Sequence, residues 1–265
     1  MDEEAVAQTE QQPPAGVERV PSTTLSEYIE SFLVTVLLAL FVTSFVVQAF
    51  KIPSASMEGT LLIGDHLLVN KFIFGGTGAW YEKLLPYRAI QRGDIIVFKY
   101  PYADHTHFVK RVIGLPGDRL KIVDQQVFIN GQALVEPYVV HDPMTQYDSF
   151  NYAFPPAKRQ VIPGSVLSPW AEEMRQYVTG DEMVVPAGKY FAMGDNRDRS
   201  SDSRYWGFVS RDAIMGRPFL IYWSVNATSA DYVQSNIWSR LTGIVDTLSH
   251  LPARTRWHRM LHTVH

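Results

Sequence analysis

The sequence contains no cysteine, which excludes thiol catalysis, disulfide bonds and cysteine-based zinc sites outright. That composition fits an extracytoplasmic domain that avoids stray oxidation, without fixing the compartment. Excess basic charge is also missing: the formal net charge is −3, so nothing points to nucleic acid as a partner. Cations are scarce at the start, where residues 1–30 hold Arg19 alone against seven carboxylates, from Asp2 to Glu30. Between Glu30 and Lys51, charge, proline and glycine are all absent.

What fills that gap is a run of apolar residues, Ser31 to Phe50. At about 1.5 Å per residue it makes roughly 30 Å of helix, the thickness of a bilayer's hydrocarbon core. A cleaved signal peptide has a shorter apolar region behind a basic start, and a buried core helix keeps a polar face. A retained transmembrane anchor over 31–50 is therefore the expectation, behind a disordered tail over 1–30 rich in Gln, Pro and Ser. Lys51 and Lys71 follow the run, and by the positive-inside rule they mildly favour a cytoplasmic main domain.

After the anchor the pattern turns to short strands. Leu61–Asp65, His66–Asn70, Ile95–Tyr100, His107–Ile113, Leu120–Val123, Val127–Ile129, Gly188–Met193 and Pro218–Trp223 are separated by turn residues, with Asn130-Gly131 a strong hairpin signal. The fold class expected is mostly β: a β-rich catalytic core over 51–131 and 188–225. Residues 132–187, rich in proline and aromatics, read as an inserted cap in which only Trp170–Tyr177 looks helical. Over 226–265 we expect an amphipathic helix, with Ile237, Trp238, Leu241, Ile244, Val245 and Leu248 at helical spacing, and a solvated basic tail, Arg254–Arg259.

Three stretches can carry chemistry. Ser54 and Ser56 stand two apart in Ile52-Pro-Ser-Ala-Ser-Met57, and in an extended segment both project to one side. One hydroxyl can attack while the other supports an oxyanion. Serine also favours ordinary turns, so the hexapeptide alone leaves both readings open. Lys110 shares a strand face with Phe108 and Val112, opposite Val109, Arg111 and Ile113. To serve as a base its pKa must fall by about 3 units, which burial without an acidic partner supplies; a solvated surface lysine is the commoner case. His105 and His107 offer a rival base, or half of a metal site. The third stretch, Gly194–Arg204, is a polar loop of paired Asp and Arg before Tyr205-Trp-Gly-Phe208. It reads as an exposed loop or as a rigid support for a catalytic group.

In order along the chain, Ile52–Met57 with Thr60-Leu61 and Gly64-Asp65, Arg92–Phe98, Lys110-Arg111 with Gly114–Asp118, and Gly194–Arg197 to Ser201–Arg204 resemble the bacterial type I signal (leader) peptidases. These are membrane-anchored Ser–Lys proteases. The resemblance implies Ser56 as nucleophile and Lys110 as general base, with no metal or cofactor. It implies an oxyanion hole from the Ser56 N–H and the Ser54 hydroxyl, and Ser200 as the residue orienting the lysine amine. Asp195, Arg111, Asp202 and Arg204 match structural ion-pair positions, and Phe50, Ile52, Phe108 and Val109 fall where the family lines its pockets for small residues. The implied substrates are secreted preproteins cut after A-x-A sites, with membrane lipid and the translocation machinery as partners. The implied location is the inner membrane, single-pass, with the catalytic domain on the outer face. Gly59 departs from the family's usual proline, which puts the rigidity of the turn after Ser56 in question. A binding or scaffold domain, and a relative specialised for one pilin or conjugation substrate, are the other readings.

Overall fold

The computed structural model describes residues 25–75, 87–103, 106–142, 149–157, 165–229 and 253–264. The chain divides into two units, 1–41 and 42–265. The first contributes helix α1, Leu25–Phe41, of 17 residues with none buried. Glu27 sits in its first turn, where a carboxylate complements the helix dipole. Among the described residues, no helix is long and apolar enough to cross a membrane. The expected helix over 31–50 is therefore corrected at both ends. Helix α1 already begins at Leu25, inside the expected tail, and the chain passes through a π-helical turn, Val42–Val46, into a strand, Val47–Lys51. The second change has a local cause. β-Branched Val46 and Val47 disfavour further helix, and the strand gains a complete ladder against Asn70–His66.

In chain order the first strands are β1 Val47–Lys51, β2 Asp65–Asn70, β3 Ile95–Lys99, β4 His107–Gly114, β5 Arg119–Val123, β6 Gln126–Ile129 and β7 Gln132–Ala133. Then follow β8 Ala153–Phe154, β9 Val178–Thr179, β10 Glu182–Val184, β11 Lys189–Met193, β12 Val209–Ser210, β13 Ile214–Ser224 and β14 His262–Thr263. One sheet has the order β1-β2-β13-β3-β4-β11-β12, with β14 added to β13. The other has the order β7-β6-β5-β10-β9, with β8 on β5. Both are antiparallel throughout. The Asn130-Gly131 hairpin forms as expected, both residues at positive φ between β6 and β7. Leu61–Ile63, expected to be strand, instead form a turn, and Leu61 is fully buried.

Strand β3 is buried on both faces because it lies between two apolar clusters. Ile96 and Phe98 point into the larger, with Val112, Leu120, Val127, Phe154, Trp170 and Trp206. Ile95 joins the smaller, with Ile52, Met57, Leu61, Leu67, Ile221 and Val264. Alternation along β4 holds from Phe108 to Val112 and then breaks. A bulge opposite Phe191 and Ala192 turns Ile113 into the same cluster as Val112, not to the face of Val109.

The described parts of 132–187 do not form a separate cap. Strands β8, β9 and β10 complete the second sheet, and Phe150, Phe154, Trp170, Met174 and Met183 belong to the main core. Two helices lie here: α2, Ser149–Tyr152, and α3, Ser168–Glu173, which continues as a 3-10 turn to Tyr177. In those described parts the proline-rich stretch consists of short elements packed on the core. The expected helix at Ile237–Leu248 lies outside the described residues. The basic end beyond it is docked, contrary to a solvated tail. Arg259 and Arg256 converge on the buried Asp65, β14 pairs with β13, and Val264 enters the smaller cluster. A buried carboxylate demands such partners, and Asp65 has no exposed surface.

Candidate active site

Ser56 sits on the loop that joins β1 to β2. The base of that loop is closed by Ile52 N donating to Asp65 O and Gly64 N donating to Ile52 O, both at 2.9 Å. Within it, Ala55–Met57 form a 3-10 turn. Met57 and Leu61 anchor the turn in the smaller cluster, and Leu61 N donates to Met57 O at 2.8 Å. The expectation that Ser54 and Ser56 share one side of an extended segment is thereby corrected, because the turn breaks the two-residue period. Ser54 is extended and exposed and makes no capping hydrogen bond; Ser56 is buried.

Lys110 reaches Ser56 from the middle of β4, where Ile96 lies opposite it. Its Nζ donates to Ser56 Oγ at 2.5 Å. The lysine is 4% exposed and lies over the Phe108 ring, 5.3 Å from its centroid. Burial pushes its pKa from 10.5 down to about 8, and the nearby Asp202 and Asp195 carboxylates oppose this only in part. An amine with that pKa is substantially neutral in mildly alkaline water, and a neutral amine accepts a proton from a hydroxyl.

The loop after β11 closes around this pair. Asn196 N donates to Ser56 O at 3.2 Å. Gly194 lies where a side chain has no room: a Cβ there would stand 2.3 Å from both Ser56 O and Ser200 Oγ. Ser200 Oγ is buried beside the Asp202 carboxylate and helps hold it ionised. It has no aligned hydrogen-bond partner among the described residues, so it does not bond to Lys110 here. Asp202 and Arg204, both without exposed surface, form a two-pronged pair. Burial pushes the Asp202 carboxyl up, but the guanidinium of Arg204 and the Gly194 N–H outweigh it and hold its pKa below the usual range. Arg111 pairs with Asp195 through Nε at 2.9 Å and Nη2 at 2.7 Å, and Thr60 Oγ1 donates to the same carboxylate at 2.6 Å. The polar stretch 194–204 is thus largely buried, a support and not an exposed loop.

Of the expected site residues, the structure gathers Ser56 and Lys110 directly, with Ser200, Asp195, Asp202, Arg111 and Arg204 around them. Ile52 and Val109 pack with Met57 in the smaller cluster, whereas Phe108 belongs to the larger. Phe50 stacks edge-on against His107 at 5.4 Å. His105 lies outside the described residues. Several supporting residues have no role assigned from the sequence: Gly194, Thr60 and Asn196, which enter there only as matching text, and Asn151 of α2. Asn151 donates to Asp198 at 2.5 Å and accepts from Arg204. For Gly194 the signal was a glycine just before the Asp–Arg run; for Asn151 there was none.

The family model described as signal peptidase, peptidase S26, matches residues 25–223. The protein named signal peptidase I from Pseudomonas fluorescens is 38% identical over 76% of this chain and 73% of its own. A protein of the same name from Aquifex aeolicus is 34% identical over 84% of this chain and 93% of its own. A solved signal peptidase I structure from Enterococcus faecalis is 31% identical, covers 49% of this chain and 97% of its own, and gives a TM-score of 0.32. With a family model spanning most of its length and curated relatives at this identity, the chain belongs to the signal peptidase family, peptidase S26, and is a serine-type signal peptidase.

Proposed function

We propose that this peptidase is a membrane-bound Ser–Lys enzyme that removes N-terminal signal peptides from exported preproteins after small residues in an A-x-A pattern. The observation that carries the reading is the 2.5 Å contact between Lys110 Nζ and Ser56 Oγ in a buried setting. In the neutral state the contact reverses and the hydroxyl donates to the amine. Lys110 takes the proton as Ser56 Oγ attacks the scissile carbonyl carbon. The oxyanion is received by the Ser56 N–H and, as the resemblance implies, by the Ser54 hydroxyl, which makes no capping hydrogen bond. The intermediate collapses to an acyl-enzyme, and the departing amine takes the proton from Lys110. Water deprotonated by Lys110 then hydrolyses the ester. Asp195–Arg111 and Asp202–Arg204 support the geometry; the resemblance assigns Ser200 to orienting the amine, a contact its hydroxyl does not make here, where it lies beside Asp202. Phe50, Ile52, Phe108 and Val109 shape the pockets for small side chains.

The tether is α1 and the turn after it. Its apolar side chains are uncovered, with Phe32 and Leu37 each 66% exposed, and lipid is the medium that covers such a helix. Single-pass insertion in the inner membrane, with the catalytic unit on the outer face, holds Ser56 at the depth where a signal peptide ends its apolar run. That shared depth raises effective concentration, and the translocation machinery delivers the preprotein there.

The test is cleavage of a preprotein bearing an A-x-A site by detergent-solubilised wild type, Ser56→Ala and Lys110→Ala across pH 5–10. Wild type alone is expected to be active, its kcat/KM rising about tenfold per pH unit up to the lysine pKa of about 8 and levelling above it. Full activity in Lys110→Ala removes the mechanism.

A further inference from the structure

The segment Glu136–Asp142, which follows β7, crosses the turn that carries Ser56. Val140 N donates to Asp195 O at 2.9 Å and Arg197 N donates to Val140 O at 3.1 Å, so Val140 pairs with Asn196 as a short parallel bridge. Asn196 N in turn holds the Ser56 carbonyl. The Val140 side chain meanwhile lies on Gly59. A Cβ built on Gly59 would stand 2.7 Å from Val140 Cγ2 and 3.3 Å from Tyr138 O, and Gly59 has φ +105°, a conformation that favours glycine. The strap is pinned along its length. Glu136 receives Arg197, with a shortest contact of 2.5 Å, the Tyr138 ring faces Arg111 at 3.9 Å, and Asp142 receives Arg199 at 2.5 Å.

We propose that Val140 is a positioning residue for the Ser56 nucleophile, its side chain pressing the turn through Gly59 while its backbone holds Asn196 against the Ser56 carbonyl. The proposal rests on the Ser56–Lys110 reading. Glycine is the residue with most backbone freedom, and Gly59 brings no side chain of its own to fix the turn's exit. Val140 supplies that restraint from outside. This answers the question raised by glycine at the position of the family's usual proline: the stiffness comes from packing, and proline, whose φ is near −65°, does not fit a φ of +105°. A short serine–lysine contact is sensitive to displacement, because small misplacement costs catalysis steeply. Truncating Val140 leaves the backbone bridge in place and removes only the side-chain restraint.

The experiment compares full-length Val140→Ala, Val140→Ile, Gly59→Ala, the double variant Gly59→Ala/Val140→Ala, and Ser56→Ala in detergent. It measures kcat and KM on an A-x-A preprotein, single-turnover rates with enzyme in excess, and melting temperature. Val140→Ala is expected to lower kcat and the single-turnover rate by about tenfold with KM little changed. Val140→Ile, which keeps both γ carbons, recovers most of that loss. Gly59→Ala loses more than Val140→Ala, and the double variant loses no more than Gly59→Ala alone, because contact and clash involve the same atoms. Wild-type kcat in Val140→Ala overturns the proposal, whether or not its melting temperature falls. So does a change in KM alone, or losses that multiply in the double variant. Should Gly59→Ala not fold, Val140→Ala and Val140→Ile decide by themselves. A Ser56→Ala enzyme that still cleaves sinks the reading of the site, and the proposal with it; an inactive Ser56→Ala beside an unaffected Val140→Ala sinks the proposal alone.

Discussion

Lys110 is where the fold works against its own stability. Burial that brings its pKa from 10.5 to about 8 amounts to about 3 kcal/mol of unfavourable environment for the ammonium form. The sign follows from linkage: below pH 8 the lysine is charged in both folded and unfolded chains, and the folded state carries the whole cost. Between pH 8 and 10.5 the unfolded chain binds more protons than the folded one, so stability rises with pH. Above 10.5 both forms are neutral and the cost has gone. Lys110→Met keeps the length of the side chain and removes the charge, losing one hydrogen bond to Ser56 worth about 1 kcal/mol. It is expected to be inactive yet about 2 kcal/mol more stable than wild type at pH 7, an advantage that fades as pH passes from 8 to 10.5. Urea unfolding at pH 7 and at the highest pH the fold tolerates checks this. Equal or lower stability at pH 7 shows that the site compensates the buried ammonium. The strand face of Lys110 was legible, since alternation with Phe108 and Val112 places it. Its burial was not, because the carboxylates and guanidinium that act on it, Asp195, Asp202 and Arg204, come from a loop far along the chain.

At the scale of elements, the loop from Ile52 to Gly64 is held from several directions, and one of them is the C-terminal segment. Arg259 donates to Asp65 Oδ2 at 2.6 Å and to Thr60 O at 3.0 Å, while Ser224 Oγ donates to Asp65 Oδ1 at 2.6 Å. Removing Arg259 leaves a carboxylate with no exposed surface short of its strongest partner. Arg259→Met is expected to destabilise the fold by about 3 kcal/mol, and Asp65→Asn/Arg259→Met by less than the sum of the single changes. A double-mutant cycle by denaturant unfolding gives the coupling; additive losses would mean that the pair contributes only through packing. In this element local pattern and distant partner are separate sources of structure. Strands with an apolar period and a two-residue turn, such as β6 with Asn130-Gly131, specify themselves locally. Arg254–Arg259 reads as a charged tail because the partner of Arg259, Asp65, lies 194 residues away. Val47–Phe50 misread as helix for a similar reason: an apolar run does not reveal that β2 waits to pair with it.

At the scale of the molecule, every residue of both apolar clusters belongs to the unit 42–265, and both sheets lie within it. Among the described residues, helix α1 contributes none to either cluster. A chain lacking residues 1–41 is expected to fold and to cleave a short soluble peptide with kcat/KM within about threefold of the full chain, since both apolar clusters and both sheets are kept. On a preprotein whose signal peptide sits in lipid vesicles, the same truncation is expected to lower the rate by about a hundredfold, because tether and substrate no longer share one surface. The ratio of the two losses is the informative quantity, measured with both enzymes on both substrates at equal concentration. Equal losses on peptide and preprotein would assign residues 1–41 to stabilising the catalytic unit. A loss confined to the vesicle-bound preprotein would assign them to bringing the catalytic unit to the membrane surface that holds its substrate.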